Sequence, residues 1–211
     1  MIIKTYEAGP FDANNYLVID KDTNEAVLID CSENKQEIIN EVNMNNLNVK
    51  YILITHGHFD HVLGINDMKN ALGAEVIVPA EDLILIENIN EHARFFGQEV
   101  IDIPVHDKTY DEGIELKLGK HEIEVIRTPG HTEGGVSLLI GKNLFSGDTL
   151  FKDSFGRTDL YGGNTKKLLN SIVNELFNLP DNTIVYPGHG PSTTIGYEKV
   201  HNDIMHYVKR G

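Results

Sequence analysis

A short apolar run at 51–54 opens directly onto Thr55-His56-Gly57-His58-Phe59-Asp60-His61, which places four potential metal ligands within six residues. His56 and His58 lie on a strand-to-loop exit rather than on a helix, where zinc pairs need i, i+4 spacing. Gly57 leaves the turn between them free to bend, so an i, i+2 pair can converge on one ion. Asp60 and His61, at the entrance of the next helix, can point toward a second. Whatever fold the chain adopts must bring this strand end to a place where a metal sits.

Three later segments repeat the setting, each an apolar strand that ends beside glycine: Thr128-Pro129-Gly130-His131, Phe145-Ser146-Gly147-Asp148 and Tyr186-Pro187-Gly188-His189. Strand termini hold side chains on a rigid frame, and loops at strand ends are where chemistry commonly sits. His92, His106 and His121 lack that setting and read as non-ligands, and His201 and His206 read as solvated surface residues.

The remaining periodicities read as strands at 2–7, 15–19, 26–29 and 51–54, helical patterns at 33–46 and 62–72, a strand at 75–78 and a helix over 80–88. An irregular stretch at 91–111 includes Phe95-Phe96-Gly97. Strands follow at 114–118, 121–127, 136–140 and 144–146, then a helix at 165–179, a strand at 183–186 and a last helix at 195–209. The order suggests two similar halves packed sheet to sheet in one domain, 1–211, with no linker and no short repeat.

Acidic residues outnumber basic ones by 32 to 18, a formal charge of −14, which opposes binding to a nucleic-acid backbone. Lys166-Lys167 and Lys209-Arg210 are too short to form a basic patch. One cysteine, Cys31, excludes an internal disulfide and a Cys-rich zinc site, so the ligands must be His and carboxylate. No apolar stretch reaches a membrane span, and a cytoplasmic location is the expectation.

With these motifs in place, the chain resembles the metallo-β-lactamase superfamily over nearly its whole length. The resemblance implies an α/β fold, an αββα sandwich of two mixed sheets face to face with helices on both outer faces. It also implies that His56, His58 and His131 hold one divalent ion, that Asp60, His61 and His189 hold another, and that Asp148 bridges them. Asp30 fits the family's supporting acid and equally fits a turn or helix cap.

Two cations roughly 3.5–4 Å apart share a water and lower its pKa toward neutrality, so hydroxide becomes available as nucleophile. Asp60 and Asp148 orient the ions and lower the net charge of the site. Zinc is expected, with iron or manganese acceptable to the same ligands. The segment Phe155-Gly156-Arg157-Thr158-Asp159-Leu160-Tyr161-Gly162-Gly163 is similar to a loop of the short glyoxalase II-like branch, hydroxyacylglutathione hydrolase-like proteins. That branch implies hydrolysis of a small thioester such as S-lactoylglutathione, whose thiolate leaves without a dedicated acid.

Arg157 and Tyr161 are then candidate substrate contacts, although an exposed Arg157–Asp159 pair is an equal reading of the first. Phe95-Phe96 reads as core packing or as an apolar wall over the metals. Only 22 residues follow His189, without the helical extension that supplies glutathione contacts in long glyoxalase II enzymes, so the thiol stays open. The alternatives are a persulfide dioxygenase with one iron on His56, His131 and Asp148, and a lactonase on the same scaffold. The β-lactamase class with a zinc-bound Cys is disfavoured by the position of Cys31.

Overall fold

The computed structural model describes residues 1–33, 35–98, 102–110 and 114–208. The chain forms two compact units, Met1–Glu122 and Ile123–Gly211.

In the first unit six strands, β1 (Ile2–Ala8), β2 (Ala13–Ile19), β3 (Glu25–Ile29), β4 (Asn48–Leu53), β5 (Glu75–Val78) and β6 (Lys108–Thr109), lie in that order in one sheet. β1, β2 and β3 pair antiparallel; β3 to β6 pair parallel. The split follows from the connections. Tight turns at 9–12 and 20–24 allow only antiparallel return, whereas parallel pairing needs a crossover. The helix α1 (Gln36–Met44) makes the first crossover, and α2 (Phe59–Val62) with α3 (Ile65–Leu72) makes the second.

All seven residues of β2 are buried, as expected of a strand covered on both faces. α1 is shorter than the helical pattern at 33–46 and turns Ile38 and Val42 inward; residue 34 lies outside the described residues. α3 stops where Gly73 adopts φ +66, its N–H donating to the Lys69 carbonyl, a left-handed end that suits glycine. The helix expected over 80–88 forms as α4 (Leu83–Glu87), and α5 (Ile89–Phe95) runs on into the stretch expected to be irregular, burying Ile89 and Ala93 one turn apart.

The strand expected at 114–118 is shorter, β7 (Leu116–Leu118), and turns into β8 (His121–Arg127), within which the boundary between units falls. The second sheet adds β9 (Val136–Ile140), β10 (Asn143–Gly147), β13 (Ile184–Pro187) and β14 (Thr193–Thr194), in the order β14-β13-β10-β9-β8-β7. It too is mixed, because β10 and β13 pair parallel across the helix α6 (Thr165–Asn174). A small hairpin, β11 (Leu150–Phe151) with β12 (Ser154–Phe155), precedes α6, whose first turn is capped by the Asn164 side chain accepting from the Lys167 N–H.

The single helix expected at 195–209 is interrupted. α7 (Ile195–His201) ends at Asn202, which is extended, and α8 (Met205–Val208) follows. The Asn202 amide donates to the Phe151 and Ser154 carbonyls and to Glu198, while its oxygen accepts from the Ile204 N–H. Those buried bonds outweigh continuation of the helix. Lys209 and Arg210 lie outside the described residues. The fold is therefore α/β with two mixed sheets, each with its own helices. Among the described residues no helix is long and apolar enough to cross a membrane.

Candidate metal centre

The first cluster is built where β3 and β4 end side by side. Asp30, just past β3, adopts φ +58 and so turns its carboxylate back toward the end of β4. There its Oδ1 accepts from the Thr55 N–H at 2.8 Å, and its Oδ2 accepts from the Thr55 hydroxyl at 2.8 Å and lies 2.9 Å from His61 Nδ1. With the carboxylate accepting, the His61 proton sits on Nδ1 and the Nε2 lone pair is available to a metal. The Thr55 hydroxyl, its own hydrogen given to Asp30, accepts from His56 Nδ1 at 3.1 Å, which sets the same tautomer on His56. One carboxylate thus orients two imidazoles.

The loop is tied down on its other side as well. The Gly57 N–H donates to the buried Asp82 carboxylate at 2.8 Å, and a Cβ at Gly57 would stand 2.9 Å from the Asp82 Cβ and carbonyl oxygen. The Cys31 N–H donates to the His61 carbonyl, and the Gly64 N–H donates to that of Cys31. Burial pushes the Cys31 thiol far above its ordinary range, so it stays protonated and inert. The His56 ring lies 4.9 Å from that of His58 and 4.2 Å from that of His61, and Asp60 Oδ2 lies 3.9 Å from His61 Nε2. His56, His58, Asp60 and His61 are all buried.

The second cluster is assembled within the second unit. The His131 Nδ1–H donates to the Arg157 carbonyl at 2.7 Å, because a carbonyl only accepts, and this leaves Nε2 for a metal. His131 Nε2 and His189 Nε2 lie 3.4 and 3.7 Å from the same oxygen of Asp148, Oδ2. Gly156 has no room for a side chain, since a Cβ there would overlap the Asp148 carbonyl and approach His131 Nδ1 to 3.2 Å. Gly130, at φ +136, lies against the backbone of Leu168.

The donor chemistry fits divalent metal ions: buried imidazoles held in the ligating tautomer, with carboxylates among them. His56, His58, Asp60 and His61 in one unit and His131, Asp148 and His189 in the other each offer one ligand atom.

Asp30 acts as a supporting acid, and its left-handed backbone explains why it also ends a strand. The Arg157 guanidinium pairs with Asp159 at 2.7 and 2.8 Å, both side chains more than half exposed, and holds that carboxyl down at about 2. Arg157 meets the ligand set through its backbone carbonyl. Tyr161 is 72% exposed. His92, read from sequence as a non-ligand, is in none of the ligand groups among the described residues and packs its ring 4.7 Å from that of His58. Asp82 has no signal in the sequence, since an acid 25 residues from Gly57 carries no local signature. His201 stacks on Tyr197 at 4.2 Å.

The sequence profile of the metallo-beta-lactamase superfamily matches residues 8–189. Hydroxyacylglutathione hydrolase GloC of Haemophilus influenzae is 36% identical over 209 residues, which is 97% of this chain and 98% of that protein. Among solved structures, BLEG-1 B3 metallo-beta-lactamase superposes with a TM-score of 0.88 at 35% identity, covering 97% of this chain and 99% of that one. TTHA1623 in a di-iron-bound form superposes with a TM-score of 0.84 at 36% identity, covering 95% and 98%.

Proposed function

Because the chain belongs to the metallo-beta-lactamase superfamily, we propose that it is a two-metal hydrolase of small thioesters of the S-lactoylglutathione type. His56, His58 and His131 would hold one divalent ion and Asp60, His61 and His189 the other, with the Asp148 carboxylate available to both. The observation that carries the reading is the geometry at Asp148, where one carboxylate oxygen faces the Nε2 atoms of two histidines assigned to different ions. A facial triad around a single iron leaves His189 without a role.

Bound there, divalent ions supply a water acidified toward neutral pH and polarise the acyl oxygen. The protein's own contribution is orientation. Asp30 fixes the rings of His56 and His61, the Arg157 carbonyl fixes that of His131, and the glycines at 57 and 156 let the supporting backbone approach. Asp60 and Asp148 offset the charge of the cations. No nucleophilic Ser or Cys is required, in keeping with the buried thiol of Cys31. The thioester class is supported by the GloC relative and by the loop at 156–163. Zinc is the proposed metal, and the two irons of TTHA1623 make iron the next candidate. A small molecule is the proposed partner, with neither nucleic acid nor membrane, in the cytoplasm.

The test couples elemental analysis of the native protein to S-lactoylglutathione hydrolysis, with His58→Ala beside the wild type. Two metals per chain and a loss of at least about 100-fold in the variant are expected, since removing even a supporting group costs 10–100-fold. One iron per chain with oxygen consumption on a persulfide would overturn the hydrolase, and a β-lactam turned over faster than any thioester would overturn the substrate class.

A further inference from the structure

Glu198, in α7, is fully buried and belongs to none of the ligand groups among the described residues. A carboxylate held that far from water is costly unless donors meet its oxygens. Three do. Oε1 accepts from the Thr193 hydroxyl at 2.5 Å, and Oε2 accepts from the Asp153 N–H at 3.0 Å and from the Asn202 side-chain amide at 2.7 Å. Two of these donors come from segments that carry ligands of the second cluster. Thr193 follows His189 in the chain, where β14 pairs back on β13, the strand that leads to that histidine. Asp153 lies at the tip of the β11–β12 hairpin, which begins just after Asp148, and takes φ +62, a left-handed conformation that its bonded N–H holds in place. The hairpin returns to Gly156, which packs against the Asp148 carbonyl, and to Arg157, whose carbonyl orients His131. On the way it sets the Phe151 ring edge-on to that of His189 at 6.3 Å.

His131, Asp148 and His189 are thus attached to segments that meet at one carboxylate. Asn202 already ties α7 to the hairpin through the Phe151 and Ser154 carbonyls. What Glu198 adds is the link from the hairpin tip to the segment after His189. Resting on the two-metal reading, we propose that Glu198 is a positioning residue for the metal centre. It fixes the hairpin against the β13–β14 connection and so sets the spacing at which Asp148 Oδ2 faces the Nε2 atoms of His131 and His189, 3.4 and 3.7 Å away. Ligands hold an ion only as firmly as the groups behind them hold the ligands, and losing one such group costs a metal site about 10- to 100-fold in affinity.

The two links can be cut separately. Thr193→Val keeps the side-chain shape and removes the bond toward His189, whereas Glu198→Ala removes both links. Glu198→Gln keeps an acceptor for Asp153 and Asn202 and turns its amide to the Thr193 hydroxyl, which accepts as well as donates. Wild type, these three variants and Lys199→Met, which loses the α7 contacts to Asp181 and the Leu179 carbonyl, are titrated with zinc against a competing chelator. Cobalt-loaded samples are compared by absorption, and circular dichroism reports which variants are folded. Glu198→Ala is expected to weaken both ions at least about tenfold and to alter the cobalt spectrum, and Thr193→Val to weaken one of the two by about threefold or more. Glu198→Gln should stay within about threefold of wild type, and Lys199→Met should match it. Lost stability alone lowers Tm and leaves the affinity of the folded protein where it was. Wild-type affinities in Glu198→Ala, or in Thr193→Val if the former does not fold, would overturn the positioning role and leave the two-metal reading standing. So would a Gln variant as weak as the Ala variant, because charge rather than placement would then matter. A wild type that binds one ion overturns the two-metal reading, and the role of Glu198 then stands if Glu198→Ala or Thr193→Val weakens that ion and falls if neither does.

Discussion

Asp30 carries more of the candidate centre than any other residue that is not itself a ligand, because its two oxygens serve Thr55 and His61 directly and His56 through the Thr55 hydroxyl. In Asp30→Asn the side chain keeps one acceptor and gains a donor that conflicts with the His61 Nδ1–H. Metal affinity measured by chelator competition is expected to weaken about 10- to 100-fold, with the fold retained by circular dichroism. Unchanged affinity would count against the tautomer control. Cys31 gives a simpler check at the same scale: its buried, protonated thiol should resist a thiol-disulfide reagent in the native protein and react once denaturant unfolds it. Residue types were legible in the sequence here, and partners were not. The motif at 55–61 announced ligands, yet neither Asp82 nor His92 is marked by spacing, since each reaches the loop only through the packing of later helices.

At the scale of elements, the ligands are placed by ends that must stop where they do. Asn202 ends α7 and ties it to the β11–β12 hairpin, whose Phe151 stands edge-on to His189 at 6.3 Å. Asn202→Ala leaves two carbonyls and the buried Glu198 without that donor, and a loss of about 1–3 kcal/mol is expected in denaturant unfolding. Asp107 joins α3 to β5, accepting from Lys69 and from the Val76 N–H at 2.8 Å, and the Lys69 ammonium foremost holds its carboxyl below the ordinary 3.8. A carboxyl lowered in the folded state adds stability above its unfolded pKa and loses it as pH falls through the folded value. The stability difference between wild type and Asp107→Asn should therefore be present at about pH 7 and shrink as pH falls through the lowered folded value. The long strands were legible because β-branched runs alternate with turn residues. The two-residue strands, α5 and the break at Asn202 were not, because each depends on tertiary hydrogen bonds or on a single buried pair.

For the whole molecule, metal binding and folding are linked, since ligands held in position in the native state are scattered in the unfolded chain. At about 1,000 times the dissociation constant, a bound ion adds ~4 kcal/mol, and in a chain of this size each kcal/mol moves Tm by about 2–4 °C. Chelation is accordingly expected to lower Tm by roughly 10 °C in calorimetry, with zinc restoring it; an unmoved Tm would speak against bound metal in the native protein. The sequence by itself determined the His and carboxylate types of the candidate ligands, their glycine-flanked strand ends, the two series of strands and helices, and a formal charge of −14. These are local properties, since backbone freedom, periodicity and charge are written residue by residue. Only the tertiary structure decided that Asp30 orients two imidazoles, that Asp148 presents one oxygen to two histidines, that Arg157 contributes a carbonyl while its guanidinium faces Asp159, and that Glu198 joins Thr193 to Asp153. Such pairings join residues far apart in the chain, and their geometry exists only once the sheets and helices that carry them have packed.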